Sequence, residues 1–165
     1  MTTLWQGKYL EVRREGTWEY AARIGNMGAA VILAITDARE IVLVEQYRVP
    51  HGVRSIELPA GLIGDTMAHD TAIAAAAREL AEETGFVAAH WQDIGAFATS
   101  PGMSSEMFQL YRATGLTRPG PGGGVDGEDI IVHIVPLSTL PDFLAEQRHR
   151  GLVIDCRLVL ALGLV

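Results

Sequence analysis

The chain has 165 residues, 48% hydrophobic and 20% charged, which bounds it to about one globular domain able to bury roughly 70% of its unfolded surface. Twenty acidic residues against thirteen basic ones leave a formal net charge of -7, which argues against nucleic-acid binding, because phosphate backbones are held by clustered lysine and arginine. The apolar runs are too short to cross a bilayer and the first residues, MTTLWQGKYLEV, lack the basic start and long apolar stretch of a signal peptide, so a cytoplasmic protein without a membrane segment is expected.

In chain order, Tyr9 to Arg13 and Thr17 to Arg23 alternate and predict two short strands joined at Glu15-Gly16. Ala29 to Ile35 and Ile41 to Tyr47 are apolar and β-branched, and Asp37-Ala38-Arg39-Glu40 between them suits a hairpin with a longer loop. A brief extended piece, Ser55 to Leu58, must end before Pro59. The strongest helix follows: Asp70 is a plausible N-cap, Ala72 to Ala77 has high helix propensity, and Gly85 suits the C′ position. Extended segments are expected at Ile94 to Ala98, Met107 to Ala113 and Ile130 to Val135, then two helices near Pro141 to Arg148 and Ile154 to Leu162. Pro119 to Gly127 reads as a mobile glycine-rich loop, without the directly following helix of a phosphate-binding P-loop. Cys156, the single cysteine, excludes an intrachain disulfide and lies in VIDCRLVLAL, where a packed small hydrophobe is expected. The five histidines show no metal-ligand spacing.

The chemistry concentrates in Arg78 to Phe86, RELAEETGF. Glu79, Glu82 and Glu83 stand at i, i+3 and i+4, so three carboxylates share one helical face. Like charges at that spacing repel unless a cation neutralises them, and an all-oxygen cluster suits a hard divalent ion such as Mg²⁺. The plain alternative is a solvated acidic face. Asp70 lies eight residues before Arg78 and Gly64 six before Asp70. The whole resembles the Nudix box, G-x5-E-x7-R-E-U-x-E-E-x-G-U with U apolar, except that Asp70 replaces a glutamate. The preceding Glu57-Leu58-Pro59-Ala60-Gly61 is similar to the entry of the box in the ADP-ribose pyrophosphatase branch, where Gly61 rather than Gly64 would start it. Ser100-Pro101-Gly102 with Glu106, fifteen residues beyond Phe86 at Pro101, resembles that branch's downstream proline motif.

The resemblance implies an α/β/α sandwich with a mixed sheet, residues 29–165, preceded by a small antiparallel subdomain, residues 1–28, used for dimerisation and base binding. It implies Mg²⁺, with Mn²⁺ as substitute, held by Glu79, Glu82, Glu83 and the Ala60 carbonyl, with Arg78 orienting the glutamates. Glu128 matches a loop glutamate that activates water in relatives, with Asp126 and Asp129 as rivals. Tyr9, Trp18, Glu19 and Arg23 resemble an amino-terminal group that holds adenine and phosphate, often at the partner subunit's site. Arg48, Glu57, Leu62, Pro101 and Glu106 complete the implied substrate contacts. Because of the net negative charge, an anionic substrate is expected to need metal ions in order to approach. The implied reaction is hydrolysis of ADP-ribose to AMP and ribose 5-phosphate. GDP-mannose is the nearest alternative substrate, and a non-catalytic ADP-ribose sensor the alternative of another class.

Overall fold

The computed structural model describes residues 1–64, 71–125 and 127–164. Three strands, β1 (Thr2–Gln6), β2 (Leu10–Glu15) and β3 (Trp18–Arg23), form an antiparallel sheet of their own in that order. The expected turn at Glu15-Gly16 is present, with Gly16 at φ +59°, and β1 is an added strand whose residues are all exposed. After a short 3₁₀ turn come β4 (Ala29–Ala34), β5 (Glu40–Arg48), β6 (Val53–Glu57), β7 (Ala60–Leu62) and α1 (Ala72–Thr84). The chain continues through β8 (Val87–Ala98), β9 (Met107–Thr117), β10 (Ile131–Pro136), α2 (Leu140–His149), β11 (Val153–Ile154) and α3 (Cys156–Ala161).

These later strands build two four-stranded mixed sheets, ordered β7-β4-β9-β8 and β10-β5-β6-β11. The parallel pairs are β4 with β9 and β11 with β6. Every residue of β4 is buried, because its alternating side chains enter two cores. Val31, Leu33 and Ile35 meet Leu43, Ile56 and Leu110 together with Leu140, Leu144 and Leu158 of α2 and α3. Ala30, Ile32 and Ala34 face Ala75, Ala76 and Leu80 of α1. Helices therefore cover the sheets from both sides, an α/β/α sandwich with a small antiparallel sheet in front. Each large aliphatic side chain so buried contributes roughly 1.5–3 kcal/mol, so α1 is held against the sheets by packing as well as by propensity.

The structure departs from the sequence expectations at several points. β4 and β5 do not pair as a hairpin: they belong to different sheets, joined by an isolated bridge between Ile35 and Ile41. The reason is edge occupancy, since β7 and β9 take both edges of β4. Arg39 accepts φ +59° in the connecting turn. β8 begins at Val87, seven residues before the expected Ile94, and pairs along β9 with a bulge between Asp93 and Gly95. Ile154 is strand, paired with Ile56, and the last helix starts at Cys156 with Asp155 as N-cap. For α1 the cap is Thr71, whose Oγ1 accepts from the Ala74 amide, while Asp70 lies outside the described residues. Gly85 ends α1 at φ +76°. No helix among the described residues is long and apolar enough to cross a membrane.

Candidate active site

The three glutamates of α1 share a helical face but not an environment. Glu83 is 5% exposed, and its Oε2 accepts a 3.0 Å hydrogen bond from the Ala60 amide of β7. Burial pushes its carboxyl up to about 8, assisted by the charges of Glu79 and Glu128 and opposed by the Ala60 hydrogen bond and Arg48. Glu79 lies over Gly61: a Cβ there would stand 2.0 Å from the Glu79 Oε1, so any larger residue would displace the carboxylate from this position. Gly64 has a separate requirement, φ +83°. Arg78 donates to Glu79 Oε1 at 2.8 Å and to Glu82 Oε2 at 3.2 Å, and Glu82 is partly exposed.

Glu79 and Glu83 open onto a cleft of about 600 Å³. Ala60, Gly61 and Leu62 of β7 line it next to these carboxylates, and Arg23, Arg48, Glu106, Glu128 and Arg157 line it from other elements. Arg48 grips Glu57 with two hydrogen bonds, 2.7 Å from Nε to Oε1 and 2.8 Å from Nη2 to Oε2, and Arg157 reaches the same Oε2 at 3.2 Å. Glu57 is buried and meets both guanidiniums, while Asp155 also holds Arg157, 2.8 Å from Nε to Oδ2. Arg23 pairs with Glu106 at 2.6 Å, tying β3 to the turn before β9. The net charge of the chain thus hides a local feature: three arginines stand on the wall of an otherwise acidic cleft.

The glycine-rich segment docks against the end of α1. The amides of Gly123 and Gly124 donate to the carbonyls of Glu83 and Glu82 at 2.8 and 3.0 Å, so the segment satisfies carbonyls that the last turn of α1 leaves open. The approach is tight enough that a Cβ on Gly122 would lie 2.3 Å from the Thr84 carbonyl carbon. Glu128 follows, its Oε2 accepting from the Val125 amide at 3.2 Å, and it lines the cleft. Asp129 instead pairs with Arg54 at 2.7 Å, its side chain 81% exposed. Asp126 lies outside the described residues.

Within one chain, the remaining expected contacts stand apart from this cleft. Trp18 and Pro101 line a second recess of about 400 Å³ with Tyr20, Ser104 and Ser105. Tyr9 is exposed beneath Lys8, and Glu19 pairs with Arg14 on the outer sheet. Residues that the sequence reading missed are Arg157, Asp155, Gln46 and Thr99, all in the cleft wall. Cys156 also lines it and is exposed rather than packed, because Leu158 and Ala161 carry the buried face of α3.

Among the described residues, no three acidic, histidine or cysteine side chains are drawn together as a metal cluster. Arg78 holds Glu79 and Glu82, while Glu83 is turned to Ala60. The donors still fit a hard divalent ion by chemistry. Glu79 and Glu83 present oxygen to one cleft, Glu83 makes no ion pair among the described residues, and Gly61 leaves the space that carboxylates require.

Comparison with known proteins agrees with this architecture. The NUDIX domain family matches residues 26–156. A methanol dehydrogenase activator of Bacillus methanolicus is 37% identical over 134 residues, 81% of this chain and 69% of that protein. An ADP-ribose pyrophosphatase of Mycobacterium tuberculosis is 42% identical over 97 residues, 59% of this chain and 46% of that protein, so the matched part spans less than half of its length. A GDP-mannose pyrophosphatase of Cronobacter sakazakii is 32% identical over 143 residues, covering 82% of this chain and 71% of that one. Among solved structures, one titled as an ADP compounds hydrolase superposes with a TM-score of 0.69 at 23% identity, covering 87% of this chain and 80% of the other, a likeness of fold. With a family match across most of the chain and the box glutamates on a helix that opens onto one cleft, the chain belongs to the Nudix family.

Proposed function

We propose that this Nudix protein is a divalent-metal-dependent pyrophosphohydrolase that cleaves ADP-ribose to AMP and ribose 5-phosphate. The observation that carries the reading is the convergence of Glu79, Glu83 and Glu128 on one cleft whose wall also carries Arg23, Arg48 and Arg157. Carboxylates suit metal and proton transfer, and guanidiniums suit phosphate. The Mycobacterium tuberculosis relative supports ADP-ribose as the first substrate to test.

Glu79, Glu82, Glu83 and the Ala60 carbonyl would hold Mg²⁺, or Mn²⁺ in its place. When bound, the ion neutralises pyrophosphate charge and acidifies water. Glu83, otherwise held partly protonated near neutral pH, would be ionised in that role. Arg78 restrains the rotamers of Glu79 and Glu82. Arg48, held by Glu57, and Arg157, held by Asp155 and Glu57, offer N–H groups to the phosphates. Glu128 takes a proton from the attacking water as the water oxygen bonds to one phosphorus and the bridging P–O bond breaks, its electron pair leaving on the oxygen of the departing phosphate.

Residues 1–28 serve as a dimerisation and base-binding subdomain beside the hydrolase domain, residues 29–165. Trp5 and Trp18 on the small sheet and Tyr9 in its β1–β2 connection are 59%, 63% and 65% exposed, a concentration of apolar area that supports burial against a second copy. In that arrangement Trp18, Tyr9 and Glu19 would serve the partner subunit's cleft. GDP-mannose is the second reading, favoured by the Cronobacter sakazakii relative. The deciding experiment is a panel of ADP-ribose, GDP-mannose, dinucleotides and nucleoside triphosphates with Mg²⁺, products resolved by chromatography. AMP and ribose 5-phosphate as the fastest-formed pair support the proposal. Turnover confined to another substrate, or none at all, overturns it.

A further inference from the structure

The segment between β9 and β10 carries Glu128, and contacts hold it on both sides. On the amino-terminal side, the Gly123 and Gly124 amides are bonded to the carbonyls of Glu83 and Glu82, so the segment is registered to the very residues that bear the box carboxylates. On the carboxyl-terminal side the anchor is Arg54 of β6. Its Nη1 donates to Asp129 Oδ2 at 2.7 Å and its Nη2 to the Asp129 carbonyl at 2.8 Å, so one guanidinium grips both side chain and backbone of the residue after Glu128.

Arg54 is itself immobilised. It forms a 2.7 Å ion pair with Glu45 Oε1, and its Nη2 also donates to the Glu45 carbonyl at 3.0 Å. Glu45 is 2% exposed, and its other oxygen lies 2.9 Å from His133 Nε2 of β10. Nothing in this network touches the cleft. The Arg54–Asp129 pair is mostly exposed on the Asp129 side, and such pairs add little to stability. What the pair does accomplish is geometric. Consecutive Cα atoms are about 3.8 Å apart, so fixing Asp129 at two points confines the Glu128 Cα to a short arc. The turn closed by the Glu128 amide on the Val125 carbonyl, 3.1 Å, then sets which way the side chain leaves.

We propose that Arg54 is a positioning residue that holds Glu128 at the cleft through Asp129, on a network of Glu45 and His133 remote from the substrate. The inference rests on the reading of Glu128 as the base that takes a proton from water. It explains why Asp129, next in sequence and also a carboxylate, is not equivalent: it is the handle and Glu128 the tool.

The test uses Arg54→Lys, which retains a cation for buried Glu45 but whose single ammonium cannot span Glu45 and both Asp129 acceptors as the three guanidinium nitrogens do. With ADP-ribose and Mg²⁺, kcat should fall about ten- to a hundredfold at unchanged KM, as expected for a misplaced group rather than lost binding. In metal-free protein, the Val125 and Glu128 amides should exchange with deuterium faster while core amides do not change. Asp129→Ala, which leaves Glu45 and Arg54 paired, should show a smaller loss of kcat of the same kind. Introduced into Glu128→Gln, Arg54→Lys should cause no additional loss. A kcat for Arg54→Lys within twofold of the parent, or an equal loss with and without Glu128, overturns the positioning role. Full kcat for Glu128→Gln sinks the base assignment instead, and the inference with it.

Discussion

Replacing Glu83 by glutamine probes the most strongly perturbed group of the cleft. Its carboxyl ordinarily titrates near 4.5 and here near 8, because it is buried beside Glu79 and Glu128. A folded-state value above the unfolded one means that the folded protein holds the proton more tightly. The associated stability is fully present below pH 4.5 and is lost as pH rises to 8, where both states are ionised. At about 1.4 kcal/mol per pH decade, the metal-free protein should lose on the order of 3–5 kcal/mol to this one group across that window. Glutamine mimics the neutral carboxyl and can still accept from the Ala60 amide, so Glu83→Gln should escape the loss. Urea denaturation of both proteins in chelator, at intervals from pH 4.5 to 9, measures the difference. The variant should gain on the parent through the window and then hold a constant lead. A difference that stays flat with pH, within about 0.5 kcal/mol, would refute the argument that a buried uncompensated carboxylate is held there. Saturating Mg²⁺ should restore the parent and not the variant, by about 2.7 kcal/mol at a hundredfold excess over Kd.

Glu128→Gln should lower kcat by about 10²–10⁴-fold with little change in substrate or Mg²⁺ affinity; the same signature from Asp129→Asn alone would transfer the role of base. Gly122→Ala should cost roughly 2 kcal/mol or more in urea denaturation, since φ is +69° and the new Cβ would meet Thr84 backbone at 2.3 Å; a loss below about 0.5 kcal/mol would mean that the segment does not dock on α1. Trp18→Ala should raise KM for ADP-ribose more than it lowers kcat, as expected for lost stacking on the base, and an unchanged KM would remove Trp18 from recognition. Light scattering should give twice the chain mass, and a monomer across the working concentration range would end the dimer proposal.

What could be read from the sequence was local. The run from Arg78 to Phe86 announces itself because i, i+3 and i+4 place side chains on one face, and because a glycine that ends a helix is already called for by the local backbone, φ +76° at Gly85, although the close approach of Gly120 and Gly122 to it is a tertiary demand. The same locality let Glu57-Leu58-Pro59-Ala60-Gly61 be associated with the box, although it was the packed structure that put the Glu79 carboxylate against Gly61. Tertiary structure alone separated neighbours of identical chemistry. Glu82 and Glu83 differ by about 100° around one helix, yet one pairs with Arg78 and stays partly exposed while the other is buried against Ala60, because β7 packs on a single side of α1. Arg157 meets Glu57 across 100 residues through a two-residue parallel strand, too short to leave a pattern, and Cys156 is exposed only because Leu158 and Ala161 claim the buried face of α3. The glycine-rich segment shows the limit most plainly. Its composition records freedom of the unfolded backbone, whereas in the fold that freedom lets it approach the last turn of α1 closely enough to bond to its carbonyls. Composition and period constrain each residue's own torsions and face; which faces meet is decided by competition for edges and volume among elements distant in sequence.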